Sequence, residues 1–321
     1  MVFATLAVTT LISASAVLSA STPNPVRLRD LAKRGGTVAG PVINTDFPDP
    51  GLILPNGQPP WYAYSTSSVH GKVPYAISED FVEWTPVQGD ALPNPGSWVD
   101  SSNSGIWAPD VRQITSNSYV MYYTAFSAAD GNHCIGAATS STPAGPFTPQ
   151  SAPILCDSSG GGVIDASGFG SPRGKGQSTP IFIQHLGADG FTLQGSATQL
   201  ITNDPVDGGV VEAPSMVYWD GWYYLFFSSN SYNTLYYDIS YAVATSATGP
   251  FTKVQAPNAP LLTSGKCGTA GPGGATVINV LDQYVNAVFH SDINGQDASG
   301  GRAMWQITGL TLSNGVATVN C

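Results

Sequence analysis

Basic residues are scarce in this sequence. Only 11 of its 321 residues are lysine or arginine, against 21 aspartates and glutamates, so the formal net charge at pH 7 is −10. Nucleic acids and anionic membranes attract proteins mainly through clustered positive charge. We therefore expect neither nucleic acid nor a membrane as a partner, whereas a neutral polymer would meet no electrostatic barrier.

Cysteine is scarce as well. The four cysteines stand at positions 134, 156, 267 and 321, and their spacing matches no pattern of zinc ligands. Four cysteines suit an oxidising compartment, where they pair as disulfides. Three pairings are open. We prefer Cys134–Cys156, whose members lie close in the sequence, together with Cys267–Cys321.

Long apolar runs are missing except at the N-terminus. Residues 2–20 are uncharged, rich in Ala, Leu and Val, and end among small residues, which predicts a signal peptide over residues 1–20 and a secreted, extracellular protein. A membrane anchor is the alternative, but the run is marginal in length for a span. Residues 21–34 are basic and end in Lys33-Arg34. They indicate a pro-segment, or else a plain linker, ahead of a single domain over residues 35–321.

Helical periodicity is almost absent after residue 35. Aromatic and β-branched runs alternate with clusters of Gly, Pro, Asn, Asp and Ser, which is typical of an all-β protein. The strongest runs begin at positions 61, 119, 181, 222 and 284, and the turn Gly-Pro-Phe-Thr occurs at 145–148 and again at 249–252, with a looser copy at 81–85. Five such units predict a five-bladed β-propeller. A β-sandwich with an added sheet is the alternative.

Acidic residues are also few, yet three of them stand among apolar residues and prolines. Asp49 lies in Asp-Phe-Pro-Asp-Pro-Gly, Asp110 in Trp-Ala-Pro-Asp-Val and Glu212 in Val-Glu-Ala-Pro-Ser, each roughly ten residues ahead of an aromatic run. Equivalent positions in a propeller meet at one end of its axis. Because carboxylates are costly to bury, the pattern indicates a site that needs acids in different protonation states, as glycoside hydrolysis does.

These three motifs together resemble glycoside hydrolase family 43, from about Gly40 to the C-terminus. The resemblance implies a catalytic five-bladed propeller over residues 35–321 that hydrolyses arabinan, xylan or their oligosaccharides with inversion at the anomeric carbon. It implies that Asp49 is the general base and Glu212 the general acid, and that Asp110 orients Glu212 and keeps its pKa high. The third unit departs from the family, because Val-Ile-Asp165-Ala-Ser replaces the usual Ile-Asp-Pro-Ser. We assign Asp165 no role in substrate binding.

Sugar-binding residues are predicted with less support from the sequence. Aromatic rings stack on the apolar faces of sugars, and we expect this of Phe47, Trp107 and Trp98. The resemblance implies that His290 faces the central channel near an ion or water, and that Arg302 lies near the sugar. His290 could equally be a core histidine. No cofactor is expected to be required, although the resemblance allows a structural calcium ion in the channel.

The preferred activity is that of an exo-acting β-xylosidase or α-L-arabinofuranosidase. The motif that contains Asp49 is closer to this branch than to endo-arabinanases, which tend to open with His-Asp-Pro. An endo-arabinanase and a non-catalytic carbohydrate-binding propeller are the alternatives. The related invertase group is disfavoured, since the chain has no Arg-Asp-Pro and no Glu-Cys pair. The expected partner is a plant cell-wall oligosaccharide or polysaccharide, bound by a monomer.

Overall fold

The computed structural model describes residues 36–167, 171–172 and 179–321. The expected signal peptide (1–20) and pro-segment (21–34) lie outside the described residues. Within the described part the regular elements are β-strands and short 3-10 helices, so the expected all-β class is confirmed. No helix in this part is long and apolar enough to cross a membrane.

The strands are numbered β1 to β22 along the chain, and the four 3-10 helices are short. The strands are β1 (Thr37–Ile43), β2 (Gly51–Ile53), β3 (Trp61–Tyr64), β4 (Tyr75–Ser78), β5 (Thr85–Pro86), β6 (Trp107–Thr115), β7 (Ser118–Ser127), β8 (Asn132–Ser140), β9 (Thr148–Pro149), β10 (Val163–Ile164), β11 (Ser171–Pro172), β12 (Ile181–Leu186), β13 (Leu193–Ile201), β14 (Val211–Trp219), β15 (Trp222–Ser229), β16 (Asp238–Ala244), β17 (Thr252–Lys253), β18 (Gly273–Val280), β19 (Tyr284–Asp292), β20 (Arg302–Thr308), β21 (Thr311–Ser313) and β22 (Val316–Thr318). The 3-10 helices are Pro55–Gly57, Pro205–Asp207, Lys266–Gly268 and Ala298–Gly300.

Four antiparallel sheets of four strands form blades of a β-propeller. Three of them run through consecutive strands: β2 to β5, β6 to β9 and β14 to β17. The fourth has the order β1-β20-β19-β18, so the N-terminal strand completes the last blade. In this closure Thr37 pairs with Thr308, and Val38 N–H donates to the carbonyl of Asn320. The two ends of the domain are therefore held together.

Smaller sheets make up the segment between the second and third of these blades. β10 pairs with β11 and β12 with β13, each as a two-stranded antiparallel sheet. The aromatic run predicted to begin at position 181 is β12. Across the described residues the structure thus contains four blades, and the fifth stays a prediction. The hairpin of β21 and β22 packs Leu312 and Ala317 into the core beside the last blades.

Four of the five aromatic runs become the second strands of blades and carry the core. Trp61 in β3, Tyr123 in β7, Phe226 in β15 and Phe289 in β19 are all fully buried. One apolar cluster joins the first blade to the last through Trp61 and Val288. Burying a large apolar side chain contributes roughly 1.5–3 kcal/mol, so packing between blades helps to stabilise the ring.

The repeated turn marks the start of the outermost strands. Gly-Pro-Phe at 145–147 leads into β9, where Thr148 pairs with Thr139, and its second copy leads into β17, where Thr252 pairs with Val243. The looser copy leads into β5. The turn therefore serves the same purpose in three blades, as its recurrence in the sequence indicates.

Both preferred disulfides are present, Cys134–Cys156 and Cys267–Cys321. The first ties β8 to the loop after β9. The second ties the 3-10 helix before β18 to the last residue of the chain, across a sequence separation of 54. Closing a loop of this length removes conformational freedom from the unfolded chain.

Trp61→Ala should lower the free energy of unfolding by about 3–5 kcal/mol, because it leaves a cavity between the first and last blades. The indole also packs on Phe81 at a ring-centroid distance of 4.7 Å. Its N–H has no hydrogen-bond partner among the described residues, so Trp61→Phe should cost clearly less than Trp61→Ala. Urea denaturation of both variants measures this. Equal losses for the two variants would contradict the packing argument.

Candidate active site

A cavity of about 240 Å³ opens at one end of the propeller axis. Its walls come from several blades and from the loops that follow β3 and β15. The cavity has both carboxylates and aromatic rings in its wall, which suits a site for a polar ligand with apolar faces. The residues that line it are Asp49, Thr66, Trp107, Ile164, Asp165, Glu212, Tyr232, Tyr237 and Arg302.

A ring of five residues with positive φ surrounds the axis below this cavity. Asp49, Ala108, Asp165, Ala213 and Gly274 have φ of 49°, 43°, 58°, 51° and 58°. They line one narrow channel. Each lies in, or within two residues of, the strand of its unit that is next to the axis. Positive φ is uncommon for residues other than glycine, so its recurrence defines equivalent positions that the sequence spacing shows only loosely.

The ring also decides which neighbouring side chains face the cavity. The residue before each of three ring positions lines it, namely Trp107, Ile164 and Glu212. In two of these strands, β6 and β14, the register shifts at this point. A bulge of this kind bends the strand and re-aims its side chains. The bulge therefore presents both Glu212 and Trp107 to the same space.

The inner strands approach one another too closely for a side chain at one ring-adjacent position. A Cβ on Gly51 would lie 2.1 Å from the carbonyl oxygen of Pro109. Glycine is therefore required where β2 crosses β6. This explains the glycine of the Asp-Pro-Gly motif by packing, without any contact to a ligand.

Asp49 is held by three side chains from distant parts of the chain. Thr66 Oγ1 donates to Asp49 Oδ2 at 2.7 Å, and Arg302 Nη1 lies 3.5 Å from Oδ1. His290 Nδ1 lies 3.1 Å from the backbone nitrogen of Asp49 and 3.3 Å from Oδ1. The carboxylate itself is 21% exposed. Asp49 is thus fixed in orientation while it still faces the cavity.

These contacts keep Asp49 ionised. Burial by itself raises its pKa, but the Arg302 guanidinium and the contacts with His290 and Thr66 outweigh burial, and the pKa of Asp49 is lowered below its ordinary value. Burial, with Arg302 nearby, lowers the pKa of His290. The site therefore combines a carboxylate with a neutral imidazole near neutral pH.

Glu212 is buried and hydrogen-bonded at the other side of the cavity. It is 6% exposed, and the hydroxyl of Tyr237 donates to its Oε1 at 2.9 Å. Burial raises the pKa of Tyr237 well above its ordinary value. Tyr237 thus stays a hydrogen-bond donor. Its ring lies parallel to that of His290 at 5.8 Å, so it links the surroundings of Glu212 and Asp49.

Asp165 is the site residue that the sequence analysis missed. It occupies the same ring position as Asp49, lines the cavity, and accepts a hydrogen bond at Oδ2 from the backbone N–H of Ala213 at 3.1 Å. Its own N–H donates to Thr124. The signal was available, since Asp165 is followed by two small residues, as the ring residues Asp49, Ala213 and Gly274 are. Ala166 takes the place of the proline that follows Asp49, Ala108 and Ala213, so the motif is harder to recognise.

Asp110 lies elsewhere than expected. It is 3% exposed, is not among the residues that line the cavity, and accepts a hydrogen bond at Oδ2 from Arg112 Nε at 2.7 Å. Burial raises the pKa of Asp110 against the effect of Arg112. It stands two residues after the ring residue Ala108, and Ser215 holds the matching place in its own strand. The number of residues between each acidic motif and the next aromatic run varies too much to reveal this two-residue offset.

Two of the three expected sugar platforms are corrected. Phe47 is only 3% exposed and belongs to the core between the first and last blades. Trp98 stacks on Tyr123 at 5.9 Å and does not line the cavity. Trp107 does line it, and its ring stacks on His133 at 3.9 Å. The position of an aromatic residue inside or near a motif therefore did not show whether its ring is packed in the core or lines the cavity.

Of the remaining expected residues, Arg302 lines the cavity whereas His290 lies just behind it. His290 is fully buried and reaches the site through Asp49. Its Nε2 has no hydrogen-bond partner among the described residues. This nitrogen is therefore the atom that would contact the water or ion expected in the channel. Calcium prefers six to eight oxygen ligands, so the imidazole alone does not define a calcium site.

Comparison with known proteins agrees with this geometry. A sequence model of glycosyl hydrolases family 43 matches residues 38–309. The chain belongs to this family. It is therefore a glycoside hydrolase by descent, and the resemblance inferred from the three motifs is confirmed.

Several family members are similar along most of the chain. The beta-D-galactofuranosidase xynD of Aspergillus niger is 31% identical over 235 residues, which are 67% of this chain and 66% of that protein. The extracellular endo-alpha-(1->5)-L-arabinanase 1 of Bacillus subtilis is 29% identical over 252 residues, 72% of this chain and 76% of that protein. The crystal structure of a thermostable family-43 glycoside hydrolase superposes with a TM-score of 0.71 at 25% identity, covering 86% of this chain and 93% of that one.

Arg302→Met should raise the pKa of Asp49, because the change removes the main attraction that offsets burial. With its folded pKa below the unfolded one, Asp49 contributes stability above the unfolded pKa, and this is lost as pH falls through the folded pKa. In the variant the loss should begin at higher pH. A titration of the Asp49 carboxyl carbon by NMR checks the shift, and an unchanged midpoint would contradict the assigned role of Arg302.

Proposed function

We propose that the chain is a secreted, inverting glycosidase that removes terminal arabinofuranosyl or xylosyl units from arabinan or hemicellulose oligosaccharides. The proposal rests on one observation: Asp49 and Glu212 line the same cavity, but the surroundings of their two carboxyl groups differ. Asp49 is charged, partly exposed and held by a cation. Glu212 is nearly inaccessible to solvent and bonded to a neutral phenol.

In the proposed reaction Asp49 is the general base and Glu212 the general acid. Asp49 accepts a proton from a water molecule as the water oxygen bonds to the anomeric carbon. Glu212 delivers its proton to the glycosidic oxygen as the bond from that oxygen to the anomeric carbon breaks. One sugar then carries the new hydroxyl, with inverted configuration, and the other leaves as an alcohol. Inversion requires the two carboxyl groups to stand roughly 6.5–9.5 Å apart, with room for water.

We assign to Asp165 the supporting role that the sequence analysis gave to Asp110. Asp165 accepts the N–H of Ala213, the residue next to Glu212, and so fixes the backbone that carries the acid. The carboxyl group of Asp110 forms an ion pair with Arg112 instead. The shared ring geometry of Asp49 and Asp165 supports this assignment.

Endo-arabinanase activity is the second candidate. Most of the similar curated proteins carry names such as arabinan endo-1,5-alpha-L-arabinosidase C, including that of Emericella nidulans, 32% identical over 204 residues. Product analysis over time on linear arabinan separates the two activities. An exo-acting enzyme releases arabinose from the start, whereas an endo-acting enzyme first releases longer oligosaccharides.

The remaining features of the proposal concern the whole chain. We take β10 to β13 as the fifth blade, since they follow the second blade along the chain and Asp165 supplies the fifth position of the ring. The two disulfides and the extracellular relative support secretion with removal of residues 1–20 and 21–34. A monomer with one catalytic domain over 35–321 suffices for the reaction. No step of the mechanism passes through a metal ion, and a channel ion near His290 would be structural.

Replacement of each carboxylate by its amide tests these roles. Glu212→Gln, Asp49→Asn and Asp165→Asn should each lower kcat/KM on aryl arabinofuranosides or xylosides by about 10²- to 10⁴-fold, because each removes a proton transfer or its support. Asp110→Asn is the matched control and should lose on the order of tenfold or less, since a buried hydrogen bond is at stake. Circular dichroism verifies that the variants are folded.

Two results would contradict the assignment. Full activity of Glu212→Gln would exclude general acid catalysis by this residue, whereas no hydrolysis by the unaltered protein would favour a carbohydrate-binding propeller. A larger loss for Asp110→Asn than for Asp165→Asn would restore the role first given to Asp110.

A further inference from the structure

The loop between β15 and β16 exposes an unusual amount of apolar surface. We call residues 230–237 the tyrosine loop. Within it Tyr232 is 43% exposed, Leu235 41% and Tyr236 79%. Large apolar side chains are normally exposed singly, so three of them within five residues indicate a surface that is used.

The tyrosine loop is anchored at both ends and in its middle. Asn230 donates to Asp238 at one end, and at the other the buried Tyr237 donates to Glu212. Ser264 Oγ donates to the carbonyl of Leu235 at 2.6 Å, and Thr234 N–H donates to the carbonyl of Ser231 at 3.0 Å. The exposed rings are thus mounted on a braced loop, which reduces the ordering that a ligand would have to impose.

This exposed surface is continuous with the active-site cavity. Tyr232 lines the cavity, and the guanidinium of Arg302 lies over its ring at 5.4 Å from the centroid. Tyr236 stands four residues further along the same loop. A ligand that fills the cavity and extends outward past Tyr232 therefore meets the tyrosine loop next.

The chemistry of this surface fits a neutral glycan chain. Tyrosine offers an apolar ring for a sugar face and a hydroxyl for hydrogen bonds. The loop itself carries no charged side chain, and the protein as a whole is acidic, so a neutral partner suits this surface better than an anionic one.

We propose that the tyrosine loop is a glycan-binding platform for the sugar units beyond the bond that is cleaved. The inference rests on the proposed function and extends it, because it makes oligosaccharides and polysaccharides better substrates than glycosides with a small leaving group. Tyr232 would contact the units nearest the cavity and Tyr236 those further out.

Tyr236→Ala tests the platform, with Tyr218→Ala as the matched control. Tyr218 is similarly exposed, at 51%, but lies on β14 six residues beyond Glu212 and packs on Tyr223 at 4.9 Å. Binding is measured by native gel electrophoresis in the presence of linear arabinan or xylan, with Glu212→Gln added to prevent hydrolysis. KM is measured on linear arabinan, on xylo-oligosaccharides and on an aryl glycoside.

Loss of one stacked ring should weaken binding of the polymer by about 2- to 12-fold. The rise in KM for Tyr236→Ala should be larger on the polymer than on the aryl glycoside, and Tyr218→Ala should match the unaltered protein on both. Equal retardation of the Tyr236→Ala and unaltered proteins would overturn the platform. So would a dimer in sedimentation that depends on Tyr236, since the surface would then belong to a second copy of the chain.

The two proposals fail in different ways. Retardation that depends on Tyr236, in a protein that hydrolyses none of the substrates, would support the platform and contradict the proposed function. Hydrolysis that requires Glu212 but is indifferent to Tyr236 on every substrate would support the function and overturn the platform.

Discussion

Positive φ at one position in each innermost strand, or next to it, is the constraint on which the rest of the site depends. Five residues around one channel adopt positive φ, and four of them are not glycine. Such residues are strained, and they persist only where the surrounding structure enforces them. The strained backbone has a geometric effect, because at four of the five positions the ring residue or the one before it lines the same cavity. Asp49, Asp165 and Glu212 meet there although more than 160 positions separate the first from the last.

Closure of the propeller then brings Arg302 and His290 next to Asp49. His290 and Arg302 lie on β19 and β20 of the last blade, and Asp49 lies just before the first strand of the first blade. The pairing of β1 with β20 brings these ends together. A cation and a neutral imidazole beside Asp49 hold that carboxyl ionised, while Glu212 has a tyrosine for its neighbour. The difference between the surroundings of Asp49 and those of Glu212 thus depends on joining the first and last blades.

The sequence carried the fold class further than the site. Aromatic runs and the repeated Gly-Pro-Phe-Thr turn were readable because they are local or sum over many residues, whereas the disulfide pairing was one of three that the sequence left open. Asp49 and Glu212 were recognisable as carboxylates among apolar neighbours. Asp165 lines the cavity and Asp110 does not, and the sequence did not reveal this difference because a shift of two residues within a bulged strand leaves the pattern almost intact. Phe47 and Trp98 were misjudged because burial of an aromatic ring depends on the neighbouring blade.

The stereochemistry of hydrolysis tests the central account most directly. If Asp49 activates water on the face opposite to the leaving group, proton NMR during early hydrolysis of an aryl α-L-arabinofuranoside or β-D-xyloside should show the inverted anomer appearing first, before mutarotation. First appearance of the anomer with retained configuration would require a covalent glycosyl intermediate. It would contradict the assignment of Asp49 as a base acting through water.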